Sequence, residues 1–397
     1  MALTSSPVAA QASSEAPPLA EAPAFDRAVW LADYAGLKDT MARGYANLDW
    51  IVEHRSLDLA QLDRRVTQML EAADSEADAI AAMREFITAF GDNHLNARRG
   101  QAHPAALRNA ATITGEADET GSNEQEPRSQ DCAALGYRDG TRWGAFDPAA
   151  LPGWSLAPSA HFTAGTSGRI GFIRIHSFGE RDFLKACETS WQPGRTERET
   201  QLATRAELQA ELTRLATALR ERGATVLALD VTANGGGSEW SEEAATLFSA
   251  DELTRPSPRL VEARDDRGAV WRGEAVPSNL APVGEADRRD GLGAWDGPLA
   301  VLVAGKSASA AEDFAYWLSG SGVAMLVGER TFGAGCGYMD GGWAYQFRAI
   351  DGHVMMPNCS RYTAEGINQI EGLEPDVTFE WSRSPPELAA VLDRIAR

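Results

Sequence analysis

Three stretches of the 397-residue chain carry residue types that could do chemistry together. In AGKSASAAEDFAYW, Ala304 to Trp317, an apolar run ends in small and hydroxyl residues, and acidic and aromatic residues then follow at helical spacing. This change of period places Ser309 at a strand-to-helix corner. There the unpaired N–H groups and the positive helix end favour a developing negative charge, although a serine that merely caps the helix would sit in the same place. In LALDVTANGGGSEW, Gly235, Gly236 and Gly237 come directly after a buried strand, at the edge where open α/β sheets bind ligands. Glycines there let main-chain N–H groups turn toward a substrate as an anion nest or oxyanion hole, or simply make a tight turn. A nucleophile and backbone donors at neighbouring strand ends are the minimum for acyl transfer. In FGDNHLNARRG, Gly91-Asp92-Asn93 breaks a helical period and should form a turn holding His94.

The elements that must position these groups fall into two kinds. Residues 25–100 read as a small helical domain: Trp30, Tyr34 and Leu37 share one stripe, Leu62, Val66 and Leu70 another, and Ser75 with Asp78 caps the helix that follows. The second half alternates strands and helices. GRIGFIRIHSF, ATVLALDVT, PLAVLVAG and VAMLVGE are strand-like, and Leu208, Leu212, Leu215 and Leu219 form a helical stripe that Gly223 ends. The fold class is therefore α/β, with a mostly parallel sheet and crossover helices. RLVEARDDRGAVWRGEA is expected to be a rim hairpin turning at Asp-Arg-Gly. Residues 1–24 read as a disordered leader or tail, 101–166 as a connecting region whose acidic stretch 115–130 is a surface loop, 167–385 as the α/β core and 386–397 as a C-terminal helix.

Charge and composition exclude several classes of function. With 57 acidic and 37 basic residues the net charge is −20, which repels phosphate backbones, so nucleic acid is not an expected partner. No apolar run is long enough for an integral membrane segment. The Ala10-Gln11-Ala12 step resembles the end of a secretory signal but lacks a basic start, leaving a periplasmic or secreted location and a cytoplasmic one both open. Cys132, Cys187, Cys336 and Cys359 lack C-x-x-C spacing, so no metal site is expected; either free thiols or any of three disulfide pairings fit.

Four segments, GRIGFIRIHSFGE, VLALDVTANGGGSEW, the run from GPLAVLVAGKSASAAEDF to GERTFGAG, and EGLEPDV, occur in the order seen in the tail-specific, or C-terminal processing, serine peptidases, which the chain resembles over residues 168–380. The resemblance implies a ClpP/crotonase-like core, Ser309 as nucleophile, an oxyanion hole from Gly237 and Ala310 with Gly236 beside them, and no cofactor. In the bacterial processing branch the base is a lysine after Phe-Gly, where this chain has Ala334, and no PDZ module is recognisable between residues 95 and 168. Lys306 is an alternate base that would have to fold back over three residues. The branch resembling tricorn core protease and the interphotoreceptor retinoid-binding protein repeats uses a histidine in a Gly-Asp-x-His-like turn, which nominates His94. An imidazole there accepts the serine proton and returns it to the leaving amine, provided a partner fixes its tautomer. The same resemblance nominates Glu371 as that partner, with Glu365 as runner-up, and sets Asn93 where tricorn has a relaying serine. His54, His103, His161, His176 and His353 read as structural or solvated, with His176 the candidate exception because it lies on a core strand.

The expected function is cleavage of peptide bonds in unfolded or short peptides through an acyl-enzyme. The alternative is an inactive relative binding an apolar ligand or peptide, with Trp240 and Trp317 lining its pocket. A crotonase-like acyl-CoA enzyme is a remoter third reading, because the sequence shows no basic cluster for the CoA phosphates.

Overall fold

A computed structural model describes residues 25–111, 131–262 and 267–395. The leader, the whole acidic stretch 115–130 and the last two residues lie outside these ranges.

Four helices open the chain: α1 (Arg27–Gly44), α2 (Leu48–His54), α3 (Leu59–Ala72) and α4 (Glu76–Thr88). Side chains cap three of them. Asp26 accepts from the Ala28 N–H, Asp58 from Gln61 and Ser75 from Asp78, satisfying donors that helix starts leave unpaired. Both expected stripes are buried, but they do not close a core by themselves. Trp30, Tyr34, Leu37, Leu62, Val66 and Leu70 pack with Trp343, Val354 and Met356 from much later in the chain. Those residues come from a three-stranded antiparallel sheet in which β1 (Asn96–Arg99) is an edge strand; its partners, given below, belong to residues 343–356. After β1, α5 (Pro104–Ala111) covers the other face of this small sheet.

The main sheet starts upstream of the expected boundary at 167. β2 (Trp154–Ala157) and β3 (Thr163–Ser167) are antiparallel additions to β4 (Ile170–Arg174). After α6 (Leu184–Ser190) and α7 (Glu197–Glu221) comes β5 (Val226–Asp230), then α8 (Trp240–Thr246). Thr196 and Glu199 form a reciprocal capping box at the start of α7, the four leucines of its stripe are buried, and Gly223 at φ +90° ends the segment. Short strands β6 (Leu253–Arg255) and β7 (Arg259–Leu260) follow, and β8 (Asp287–Arg289) pairs with β6. β9 (Leu299–Val303), α9 (Ala310–Gly320) and β10 (Met325–Gly328) continue the main layer. β11 (Trp343–Gln346) and β12 (Gly352–Met356) join β1 in the order β1-β12-β11; β13 (Cys359–Ser360) pairs β7; β14 (Val377–Thr378) and α10 (Pro385–Ile395) finish the chain.

The seven-stranded order is β14-β10-β9-β5-β4-β3-β2, with every neighbour from β4 to β14 parallel. Residues of α7, α8 and α9 bury one face and α10 the other, which is why β5 and β9 are buried throughout and apolar but for Asp230, rather than alternating. This is the expected α/β architecture. The rim hairpin is not formed. β7 pairs with β13, and Arg267–Arg272 is a 3-10 helix whose Val270 and Trp271 are buried in the helical layer, with Trp271 Nε1 donating to the Lys38 carbonyl at 3.1 Å. Burial of that aromatic side chain outweighs the alternation that suggested a strand. Two disulfides select one of the three pairings, Cys132–Cys187 and Cys336–Cys359.

Candidate active site

Ser309 precedes α9 with φ +55° and ψ −118°, a strained conformation for a residue with a Cβ. Several bonds hold this elbow. Ser307 Oγ donates to the Val231 carbonyl (2.8 Å), and the Ala308 N–H donates to the Asn234 carbonyl (3.0 Å). Asn234 is fully buried and also spans to the Ile175 carbonyl through Nδ2. The glycine loop is thereby pressed against the serine, and a Cβ on Gly236 would lie 2.8 Å from the Ser309 Cβ.

The loop's N–H groups divide in use. Gly236 donates to Asn234 Oδ1 (2.9 Å), so its N–H is already spent inside the loop. The N–H groups of Gly237 and Ala310 have no hydrogen-bond partner among the described residues. Gly237, at φ +149°, lies so close to Phe178 that a Cβ would meet that residue's carbonyl carbon at 2.0 Å, which permits only glycine.

His94 arrives from the other layer in a turn organised by Asp92. That buried carboxylate accepts from the His94 N–H (2.9 Å), the Tyr45 hydroxyl (2.7 Å) and Asn47 Nδ2 (2.8 Å). Burial and the Asp92 charge push the Tyr45 hydroxyl well above its ordinary pKa, keeping it a donor. The imidazole Nδ1 lies 2.6 Å from the Ala334 carbonyl, so Nδ1 carries the proton and Nε2 is free to accept. Nε2 faces Gly337, whose absent Cβ would stand 2.9 Å away. Tyr338 packs edge-on against the ring, and its hydroxyl donates to the His94 carbonyl.

His94, Ser309, Gly237 and Ala310 line one cleft of about 210 Å³. No hydrogen bond joins the serine hydroxyl to the imidazole in this structure; such contacts often tighten only when substrate is bound. The cleft is polar. Glu239, Glu242, Asp313 and Arg361 also line it; Arg361 pairs with Asp313 at 3.1 Å, and Arg255 shares the same carboxylate. Burial pulls both guanidinium pKa values down to about 10, which leaves both arginines charged at neutral pH.

Glu371 makes no contact with the imidazole. Its carboxylate accepts from Arg55 Nε (3.0 Å), and Arg55 Nη1 donates to the Phe90 and Gly91 carbonyls at the start of the His94 turn. Glu365 is exposed in a separate loop, Lys306 is exposed on the turn after β9, and neither lines the cleft. Asn93 is exposed and reaches the Phe332 carbonyl at 3.4 Å. Of the other histidines, His353 bonds to the Gly100 carbonyl, His103 accepts from Ala105, His54 stacks on Trp50, and His161 lies beside Glu211. His176 is buried with both ring nitrogens unpartnered, and its pKa is lowered to about 4 by burial and then by nearby Arg142.

The residue that sequence reasoning passed over is Glu312. Fully buried, it accepts four hydrogen bonds: from the Ser309 N–H (2.9 Å), Thr331 Oγ1 (2.5 Å), the Gly333 N–H (2.9 Å) and the Ala334 N–H (2.9 Å). One carboxylate thus ties the serine elbow to the loop whose carbonyl holds His94. Burial raises its pKa, and the four donors oppose that shift. The Ser-x-x-Glu spacing of a capping box was the available signal. Among the described residues, no group of three or more His, Cys, Asp or Glu is placed to hold a metal ion.

The sequence profile of peptidase family S41 matches residues 169–379, just over half of the chain. Among solved structures, mature CPAF is 14% identical, with 93% of this chain and 96% of that one covered and a TM-score of 0.61. Its complex with lactacystin gives 14% identity, 93% and 98% coverage and a TM-score of 0.62. A putative peptidase from Parabacteroides merdae aligns at 14% identity over 88% and 89% of the two chains, with a TM-score of 0.55. At these identities the likeness is one of fold.

Proposed function

Because the chain belongs to peptidase family S41, we propose that it is a serine peptidase in which Ser309 attacks the scissile carbonyl and His94 moves the proton. The carrying observation is the placement of Ser309, His94 and two unpartnered N–H groups around one cleft. His94 Nε2 takes the hydroxyl proton as the acyl bond forms and delivers it to the leaving amine; water then repeats the sequence to release the acid. The Gly237 and Ala310 N–H groups receive the oxyanion. The Ala334 carbonyl fixes the tautomer, a task often given to a carboxylate. Glu371 supports the histidine through Arg55 and the Gly91 turn rather than by touching the ring.

The proposed substrates are unfolded or short peptides, which can present an extended main chain to a strand edge beside the cleft. Two disulfides support residence in an oxidising compartment such as the periplasm. The apolar-ligand alternative loses its main support: Trp240 and Trp317 are buried in the core and the cleft is lined by charged and hydroxyl side chains. A fluorophosphonate probe tests the reading. Labelling of the wild type and not of Ser309→Ala is expected; equal labelling of both, or none of either, would remove it.

A further inference from the structure

We infer that the groove between α4 and β1, together with the free edge of β1, docks an extended peptide carrying apolar side chains next to carboxylates, and leads it to the cleft at His94. The inference deepens the peptidase reading by naming a substrate class, but the docking step itself requires no turnover.

β1 pairs only with β12, so one edge of Asn96–Arg99 is matched by no strand among the described residues. Ala97, Arg98 and Arg99 are exposed along it. An open edge of this kind accepts a further strand through main-chain hydrogen bonds. Beside it lies an apolar groove of about 370 Å³, lined by Ile80, Met83 and Ile87 of α4, by Leu95 and Ala97, and by Phe347. Leu95 and Ala97 line this groove, and because side chains alternate along a strand Arg99 falls on the same face of β1 as Ala97. A peptide paired to β1 would place every second side chain there, and would leave the strand end two residues from His94.

Charge narrows the occupant. The chain carries a net −20, yet Arg84, which also lines the groove, and Arg99 have no carboxylate partner among the described residues. The neighbouring acids are engaged elsewhere: Glu85 by Arg65, and Asp351 by Gln101. Two unmatched guanidinium groups flanking an apolar groove suit a carboxylate set beside an aliphatic or aromatic side chain. Segments of the chain itself fit less well. Residues 1–24 contain four prolines, which cannot donate to a ladder, and residues 115–130 offer carboxylates without a large apolar side chain.

The test uses the full chain with Ser309→Ala, so that bound peptide is not consumed. Two fluorescein-labelled octapeptides, alternating Leu-Asp and alternating Leu-Asn, are titrated by fluorescence anisotropy. The Leu-Asp peptide is expected to bind at least tenfold more tightly. Arg84→Gln with Arg99→Gln should erase that preference, while Ile80→Lys should weaken both peptides about tenfold with circular dichroism unchanged. Equal affinity for the two peptides, or unchanged binding in these variants, overturns the inference. So does a tenfold gain in affinity on deleting residues 115–130, or competition by self-association in sedimentation, since either would name a different occupant. Loss of docking leaves fluorophosphonate labelling of the wild type intact, whereas docking without labelling would sink the catalytic reading alone.

Discussion

The Ala334 carbonyl oxygen lies 2.6 Å from His94 Nδ1. A main-chain acceptor thus orients an imidazole that comes from the other layer of the molecule. His94→Ala should lower kcat by about 10²–10⁴-fold, the usual range for a general base, and abolish fluorophosphonate labelling. Because His94 is only half-buried, the thermal midpoint should move by no more than a degree or two, as read by differential scanning fluorimetry.

Gly337→Ala gives a sharper test of geometry. Its backbone is not in the left-handed region, so alanine is tolerated locally, yet the new Cβ would stand 2.9 Å from His94 Nε2. Displacing the ring by even about an ångström should cost on the order of 10²-fold in kcat, with peptide affinity and stability little changed. Parallel measurement of kcat, KM and the unfolding midpoint separates this from a general loss of fold.

Glu312 supports both halves of the site. Glu312→Ala leaves three N–H groups and one hydroxyl without their acceptor, and at about 1–3 kcal/mol for each unsatisfied group the loss should reach at least about 4 kcal/mol in urea unfolding. Glu312→Gln keeps the size and one acceptor oxygen. It should restore part of the stability while labelling at Ser309 stays slow, because its amide places donors against the N–H groups it faces.

The Cys336–Cys359 bridge anchors the loop that carries Ala334, Gly337 and Tyr338 to β13. Closing a loop of 23 residues is worth about 3 kcal/mol against the unfolded chain. Replacing both cysteines by alanine should therefore lower stability by roughly that amount. Labelling at Ser309 should fall in urea concentrations below those that unfold the α/β core, as followed by tryptophan fluorescence.

His176 provides a pH signature. Its folded pKa of about 4 lies below the ordinary value of 6.5, so its contribution to stability is complete above about pH 6.5 and is lost as pH falls toward 4. The unfolded state takes up the proton first. Over that window the group should remove about 3 kcal/mol, so His176→Phe should show a shallower decline than the wild type when urea midpoints are compared at pH 7 and pH 4.5.

Much of this arrangement was legible in the residues. The buried strands β4, β5 and β9, the leucine stripe of α7 and the Ser75 cap all follow from local periodicity, and each is formed. The small sheet was not legible, because WAYQ and GHVMM are short and are stabilised only by packing on helices hundreds of residues away. Glu371 shows a similar limit: chain position brings its carboxylate near the site, but Arg55, far earlier in the sequence, determines where it points. Four cysteines without a spacing motif left three pairings open, and only tertiary packing selects between them.

The small sheet also bears on how the protein is made. Residue 94 and residue 309 belong to separate layers, and β1 finds its one partner, β12, only at residues 352–355, with β11 completing the small sheet. While the ribosome is still delivering those strands, the nascent chain holds its serine and its imidazole on two unfinished bodies, and contacts of such long sequence separation form slowly. Under the proposed roles of Ser309 and His94, synthesis order alone would keep a would-be cutter blunt until almost the whole polypeptide has emerged.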